Sequence, residues 1–241
     1  MQFKRFSKNA FTVVIKLIRY NLKIIFANKF IYFLMAALFI FLLVTGINLM
    51  NADAQMTEAN VFWLLLVPGI LLVFYPITFG IQNDADNRML EIIFGIPNYR
   101  YKVLLLRLML VFTVTFAILV LISLFSTFAL IAISITNMVY HLMFPIIFLG
   151  SMAFMVSTVI RDGSGTAVVM IIIGIIFLIG RGFFQEYPQY DIFLNPFEIP
   201  QNINEIAWAE IVADNRLYLC AGSIIAVLFG LLNLQKREKF L

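Results

Sequence analysis

Residues 108–160 form a stretch of 53 residues without a single Asp, Glu, Lys or Arg. A bilayer core about 30 Å thick takes about 20 apolar residues in a helix, so this window is too long for one span. The polar step Ser134-Ile135-Thr136-Asn137 divides it in two. Four more charge-free windows, 30–52, 59–83, 163–180 and 217–235, are each of spanning length. The expectation is an all-α, polytopic membrane protein with six transmembrane helices. Membrane β-strands would read as alternating segments of about ten residues, and long continuous apolar runs do not fit that pattern.

Composition closes the other routes. Hydrophobic residues make up 63% of the chain and charged residues 12%, against roughly a quarter charged in a soluble domain. A soluble fold of this size cannot hide so much apolar surface. The same Leu, Ile, Val and Phe content excludes disorder. One Cys and one His leave no disulfide framework, no Cys/His zinc site and no CxxC redox pair. With 7 Pro and 12 Gly there is no low-complexity linker. The chain divides into a leader, 1–29, and a single transmembrane domain, 30–241.

Lys and Arg in the loops set orientation. Six spans put both termini on one side. That side carries 15 of the 17 Lys and Arg, and the other carries only Arg181 and Arg216. Both termini are therefore expected in the cytoplasm of a cell, with a bacterial inner membrane the natural setting. Eight of the 13 acids (Asp53, Glu58, Glu186, Asp191, Glu198, Glu205, Glu210 and Asp214) fall outside. The net charge of +4 is thus a topology signal, and nucleic acid is not an expected partner.

The leader is too charged to span, and its recurring Lys and Arg do not read as a cleavable signal peptide. At roughly 100° per residue, Lys4, Arg5, Lys8, Lys16, Arg19 and Lys23 share an arc of about 120°. Phe3, Phe6, Ala10, Val13, Val14, Leu17, Tyr20 and Ile24 take the opposite side, while Ile15 and Phe26 break the pattern. The reading is a helix lying in the interface, ammonium groups toward lipid phosphates. The plainer alternative is an anchor for the first span.

The loop 82–102, between spans two and three, reads QNDADNRMLEIIFGIPNYRYK. Residues 87–94 can form two helical turns, with Leu90, Ile93 and Phe94 on one apolar face and Met89 beside it. Asp84 and Asp86 precede that helix, where acids suit its dipole. Gly95 can end it, Pro97 prevents its continuation, and the next helix restarts near Tyr99. An apolar face in a cytoplasmic loop needs cover, from the membrane or from a partner.

Here the sequence resembles the membrane permease subunits of ABC-2-type ABC transporters. They carry acid-x-acid-x-Gly-Thr-Leu-Glu-Leu-Leu-x-x-x-Pro-x-x-Arg between their second and third spans. Asp84, Asp86, Leu90, Glu91, Ile92, Ile93, Pro97 and Arg100 keep that spacing, while Arg88 and Met89 depart from the Gly-Thr. The six spans, the amphipathic elbow helix 1–29 and the long outer segment 185–215 also resemble the family. So does Leu194-Asn195-Pro196-Phe197, similar to a Pro-aromatic step that such permeases carry after span five. The resemblance implies an exporter working by alternating access. It implies two permease chains, identical or homologous, above two ATPase subunits docked on the coupling helix at Asp84, Asp86, Arg88, Met89, Leu90, Glu91, Ile93, Phe94, Pro97 and Arg100. ATP and Mg would then be bound by the ATPase, with no cofactor, no metal and no enzymatic step in this chain. No GxxxxGK[ST] occurs in the sequence, in keeping with ATP bound by another chain.

Two other readings stay open. One is an integral-membrane enzyme acting on a lipid or isoprenoid carrier, with Asp84 and Asp86 as metal ligands. The other is a non-transporting membrane subunit of a surface machine. Among single residues, Arg181 reads as a boundary side chain snorkelling to head groups, and His141 as an interface residue. Pro68 and Pro76 are expected to kink or break span two, and Pro145 sits within span four. Gly163-Ser164-Gly165, after Arg161-Asp162, reads as a tight turn opening span five. Ile203, Ile206, Ala207, Trp208 and Ile211 suggest a short amphipathic helix on the outer interface.

Overall fold

The computed structural model describes residues 30–50, 56–86 and 99–234. The segment expected to form the elbow helix, with Lys4, Arg5, Lys8, Lys16, Arg19 and Lys23, lies outside the described residues, and so do residues 87–98, which include the expected coupling helix 87–94.

The first helix, α1, spans Phe30–Met50. The second, α2, spans Glu58–Thr78. Thr57 caps it by accepting the Asn60 N–H at 3.3 Å, and Glu58 sits in its positive first turn. Pro68 and Pro76 both lie inside α2, yet the helix passes Pro68 without interruption. It stops two residues beyond Pro76, at Thr78, and after the turn residue Phe79 continues as α3, Gly80–Asp86. Packed neighbours let a membrane helix absorb the bond a proline removes. Together α2 and α3 supply one span, Glu58–Asn83.

The charge-free window of 53 residues becomes α4, Tyr99–Ala129, and α5, Ile135–Ile160. The break falls at 130–134, so the polar step closes the turn and begins α5. Arg161 ends α5 with φ 63°, in the left-handed region that more often takes Gly at a helix end. Asp162 then caps α6, Gly163–Gly180, by accepting the Gly165 N–H. Two 3-10 turns follow, Arg181–Gln185 and Pro188–Tyr190.

The last helix, α7, spans Glu205–Asn233. It begins twelve residues before the window 217–235, and the expected separate interfacial helix around Trp208 is its first turns. Asn204 supplies the start by accepting the Ala207 N–H at 2.7 Å. Trp208, Val212, Asn215, Leu219, Ser223, Ala226 and Gly230 then make one buried stripe at helical spacing down its length. Ile206, on the other side, is 77% exposed.

At the centre, α5 packs on α7, α2, α4 and α6, and α2 packs on α1, α5 and α4. Small residues permit the close crossings, as in membrane bundles generally. A Cβ on Gly150 would stand 2.7 Å from Phe112 of α4 and 2.7 Å from Val73 of α2. The periphery is apolar instead of charged: Val168, Ile171, Ile172, Ile175, Ile176 and Ile179 of α6 are all exposed. Water penalises such a face and hydrocarbon does not. Among the described residues, six helices are long and apolar enough to cross a membrane. The chain is an all-α, multi-pass membrane protein.

Candidate functional site

The two ends of the bundle differ in chemistry. At one end the segment 181–204 folds over α2, α5 and α7 and is pinned there by side chains. Asp191 accepts the Phe193 N–H at 2.9 Å with Oδ1 and pairs with Arg181 Nε at 3.0 Å through Oδ2. Asn195 accepts the Phe197 N–H at 3.1 Å and donates to the Ala59 carbonyl, in the first turn of α2, at 3.0 Å. Trp208 of α7 donates its indole N–H to the Pro196 carbonyl at 3.0 Å. The step Leu194-Asn195-Pro196-Phe197 is therefore a crosslink between α2 and α7.

Beneath it lies Arg216, 5% exposed. Its Nη1 donates to Asn215 Oδ1 at 2.8 Å, its Nη2 to the Leu194 carbonyl at 3.3 Å and its Nε to His141 Nδ1 at 3.4 Å. The guanidinium also lies 5.5 Å from the Phe144 ring centroid. Among the described residues no carboxylate stands within salt-bridge distance of it. Burying a charge is costly unless hydrogen bonds and polarisable rings replace water, and these contacts are what replace it here. Asn215 is fully buried and donates to the carbonyls of Gln189 and Asp191 at 3.0 and 2.7 Å.

Arg181 departs from the snorkelling expectation. Instead of reaching for head groups, it turns onto Asp191 and places its guanidinium 4.6 Å from the Trp63 ring centroid. A carboxylate and an aromatic face are both good partners for a guanidinium. Beside this pair is a cavity of about 700 Å³ lined by Arg181, Asp191, Asn195, Glu198, Gln201 and Trp208. His141, expected at an interface, is half-buried between Arg216, Tyr140 and the Phe197 ring, whose centroid is 5.8 Å from its own.

At the opposite end α3 rests on the start of α6. Gln82 Oε1 accepts the Gly163 N–H at 2.8 Å, and a Cβ on Gly163 would collide with Phe79 and Gln82. Arg107 of α4 is buried beside Pro76, Gly80 and Ile81. Asn233, at the last turn of α7, donates to the Thr158 carbonyl at 2.6 Å.

Of the sequence-selected loop residues, Asp84 and Asp86 lie on α3 and Arg100 in the first turn of α4. Arg88, Met89, Leu90, Glu91, Ile93, Phe94 and Pro97 lie outside the described residues. Sequence reading missed the Asn215–Arg216 cluster. The available signal was a polar pair eleven residues into a helix whose next turns are apolar. Among the described residues no group of three His, Cys, Asp or Glu is placed to hold a metal. No protein-family model, curated protein or solved structure matches this chain.

Proposed function

We propose that this chain is the transmembrane permease subunit of an ATP-driven, ABC-2-type transporter, an exporter that works by alternating access with a separate ATPase. In this reading it sits in a cell membrane with both termini in the cytoplasm, paired with a second permease chain above two ATPase copies. The observation that carries it is the loop 84–100, whose two acids, Leu-Glu pair, Pro and Arg keep the family's spacing between the second and third of six spans. The local geometry supports a mechanical role for that loop. Its leading segment, α3, prolongs the second span and is bonded through Gln82 to Gly163. A force on the loop is thereby passed to α2 and to the start of α6. The weakly packed α6 is the helix such a force moves most readily.

The test purifies the tagged chain, wild type and variants, from membranes and measures co-purifying ATPase and its activity. Ile93→Ala with Phe94→Ala removes apolar contact worth on the order of 1.5–3 kcal/mol per side chain if fully buried. The expected result is weaker ATPase co-purification, or ATP hydrolysis uncoupled from transport. Asp84→Asn with Asp86→Asn removes metal-binding charge and leaves the stripe in place. If no ATPase ever co-purifies, and the Asp pair alone abolishes a metal-dependent activity of the isolated chain, the enzyme reading replaces this one.

A further inference from the structure

We infer that the groove between α4, α5 and α7 holds one hydrocarbon chain of an anionic lipid, with the lipid's head group at Tyr140 beside Arg216. This goes beyond the transport reading and does not depend on it.

The groove has a volume of about 850 Å³, near the top of the range of ligand sites. On α4 it runs from Leu105 to Val120, which at 1.5 Å per residue is about 22 Å. Half of a bilayer core is about 15 Å, so the groove takes an extended hydrocarbon chain along its length. Its walls are apolar through the middle, among them Phe112, Phe116, Met143, Ile147, Val227 and Leu231. In a membrane-spanning chain such a trough opens onto hydrocarbon, and a lipid chain is the material at hand to fill it.

The ends are unequal, and that asymmetry identifies the head group. Thr136 and Tyr140 mark one end, and Tyr140 is 55% exposed. Its ring stands 5.1 Å from His141 and 5.0 Å from Phe144. Those two residues are the neighbours of the buried Arg216 guanidinium. The cation uses three of its five N–H groups in the bonds described above, and no described carboxylate neutralises it. Arg216 does not itself line the groove; it stands behind Phe144 and beside His141, and its charge acts across them in a low-dielectric surrounding. An amphipathic anion adds an opposite charge at this end to the hydrogen bonds Arg216 already makes, which a neutral molecule or a second apolar helix does not.

The experiment offers the detergent-purified full chain equal amounts of phosphatidylglycerol and phosphatidylcholine and reads retained lipid by native mass spectrometry. One phosphatidylglycerol is expected per chain, preferred about tenfold, as one charge-assisted contact gives. Cys220 lines the groove and is exposed, so bound phosphatidylglycerol should also slow its reaction with N-ethylmaleimide. Cys220→Trp fills the trough from its open rim and should release the lipid. Arg216→Gln should bring the two lipids to parity while leaving total retention in place. Should Arg216→Gln fail to fold, Cys220→Trp and the maleimide rate still decide the matter. Inorganic phosphate that displaces phosphatidylglycerol would reduce the site to a free-phosphate site without a chain. That result overturns the inference. So does equal retention of both lipids by wild type, undiminished retention by Cys220→Trp, or a lipid-free groove in chains that co-migrate as dimers.

Discussion

The side-chain amide of Asn215 donates to the backbone carbonyl of Asp191 at 2.7 Å, tying the last helix to a loop 24 residues upstream. The same amide holds the Gln189 carbonyl, and its oxygen receives Arg216. One fully buried side chain thus donates to two carbonyls and accepts one N–H of a cation.

Asn215→Leu should lower stability by about 1–3 kcal/mol, since it strands two carbonyls and one guanidinium N–H without partners. Thermal unfolding in detergent micelles, followed by near-ultraviolet circular dichroism, measures the shift. A melting temperature equal to that of wild type would mean water replaces the amide without cost.

The Arg181–Asp191 pair separates charge from hydrogen bonding. Asp191→Asn keeps an acceptor for the Phe193 N–H and loses the ion pair, while Asp191→Ala loses both. Ala should therefore be the more destabilising. A cycle with Arg181→Gln should give a coupling of about 1 kcal/mol, the upper end for exposed pairs, because Asp191 is nearly buried and Arg181 is 39% exposed. Raising salt should reduce that coupling. Additive effects of the two changes would show that the pair contributes nothing.

Six spans were legible because hydrocarbon imposes one strong rule, a long apolar run for each crossing, and each run became a helix. Span ends were less legible. The window 217–235 reads only where charge is absent, whereas α7 starts at Glu205 because Asn204 caps it and Trp208, Val212 and Asn215 already pack. Arg181 was misread because its partner, ten residues on, is brought back by two 3-10 turns that leave no periodic signature. His141 and Arg216 are 75 residues apart, so only the α5–α7 packing joins them.

Two glycines of the core should differ in their tolerance of a methyl group. A Cβ on Gly150 meets Phe112 and Val73, on two different helices, each at 2.7 Å. Neither an aromatic ring nor a β-branched side chain yields easily, and Gly150→Ala should cost about 1–3 kcal/mol. On Gly69 the close neighbour is the terminal methyl of Ile146, which can rotate away. Gly69→Ala should cost less, and melting temperatures in one detergent rank the pair. The reverse order would mean that α5 shifts more readily than Ile146 does.

The final prediction concerns sidedness. Ser164, at the start of α6, and Gln201, just before α7, are both exposed and lie at opposite ends of the bundle. The distribution of Lys and Arg, 15 against 2, underlies the proposal that the Ser164 end faces the cytoplasm. With Cys220 replaced by Ser, single cysteines at Ser164 and Gln201 report the two sides. In intact cells a membrane-impermeant maleimide should label Gln201→Cys and leave Ser164→Cys untouched until the membrane is permeabilised. Labelling of both without permeabilisation would contradict the six-span arrangement itself. Labelling of Ser164→Cys alone would keep the six spans and invert the orientation, and with it the coupling reading, since the loop 84–100 would face away from any ATPase.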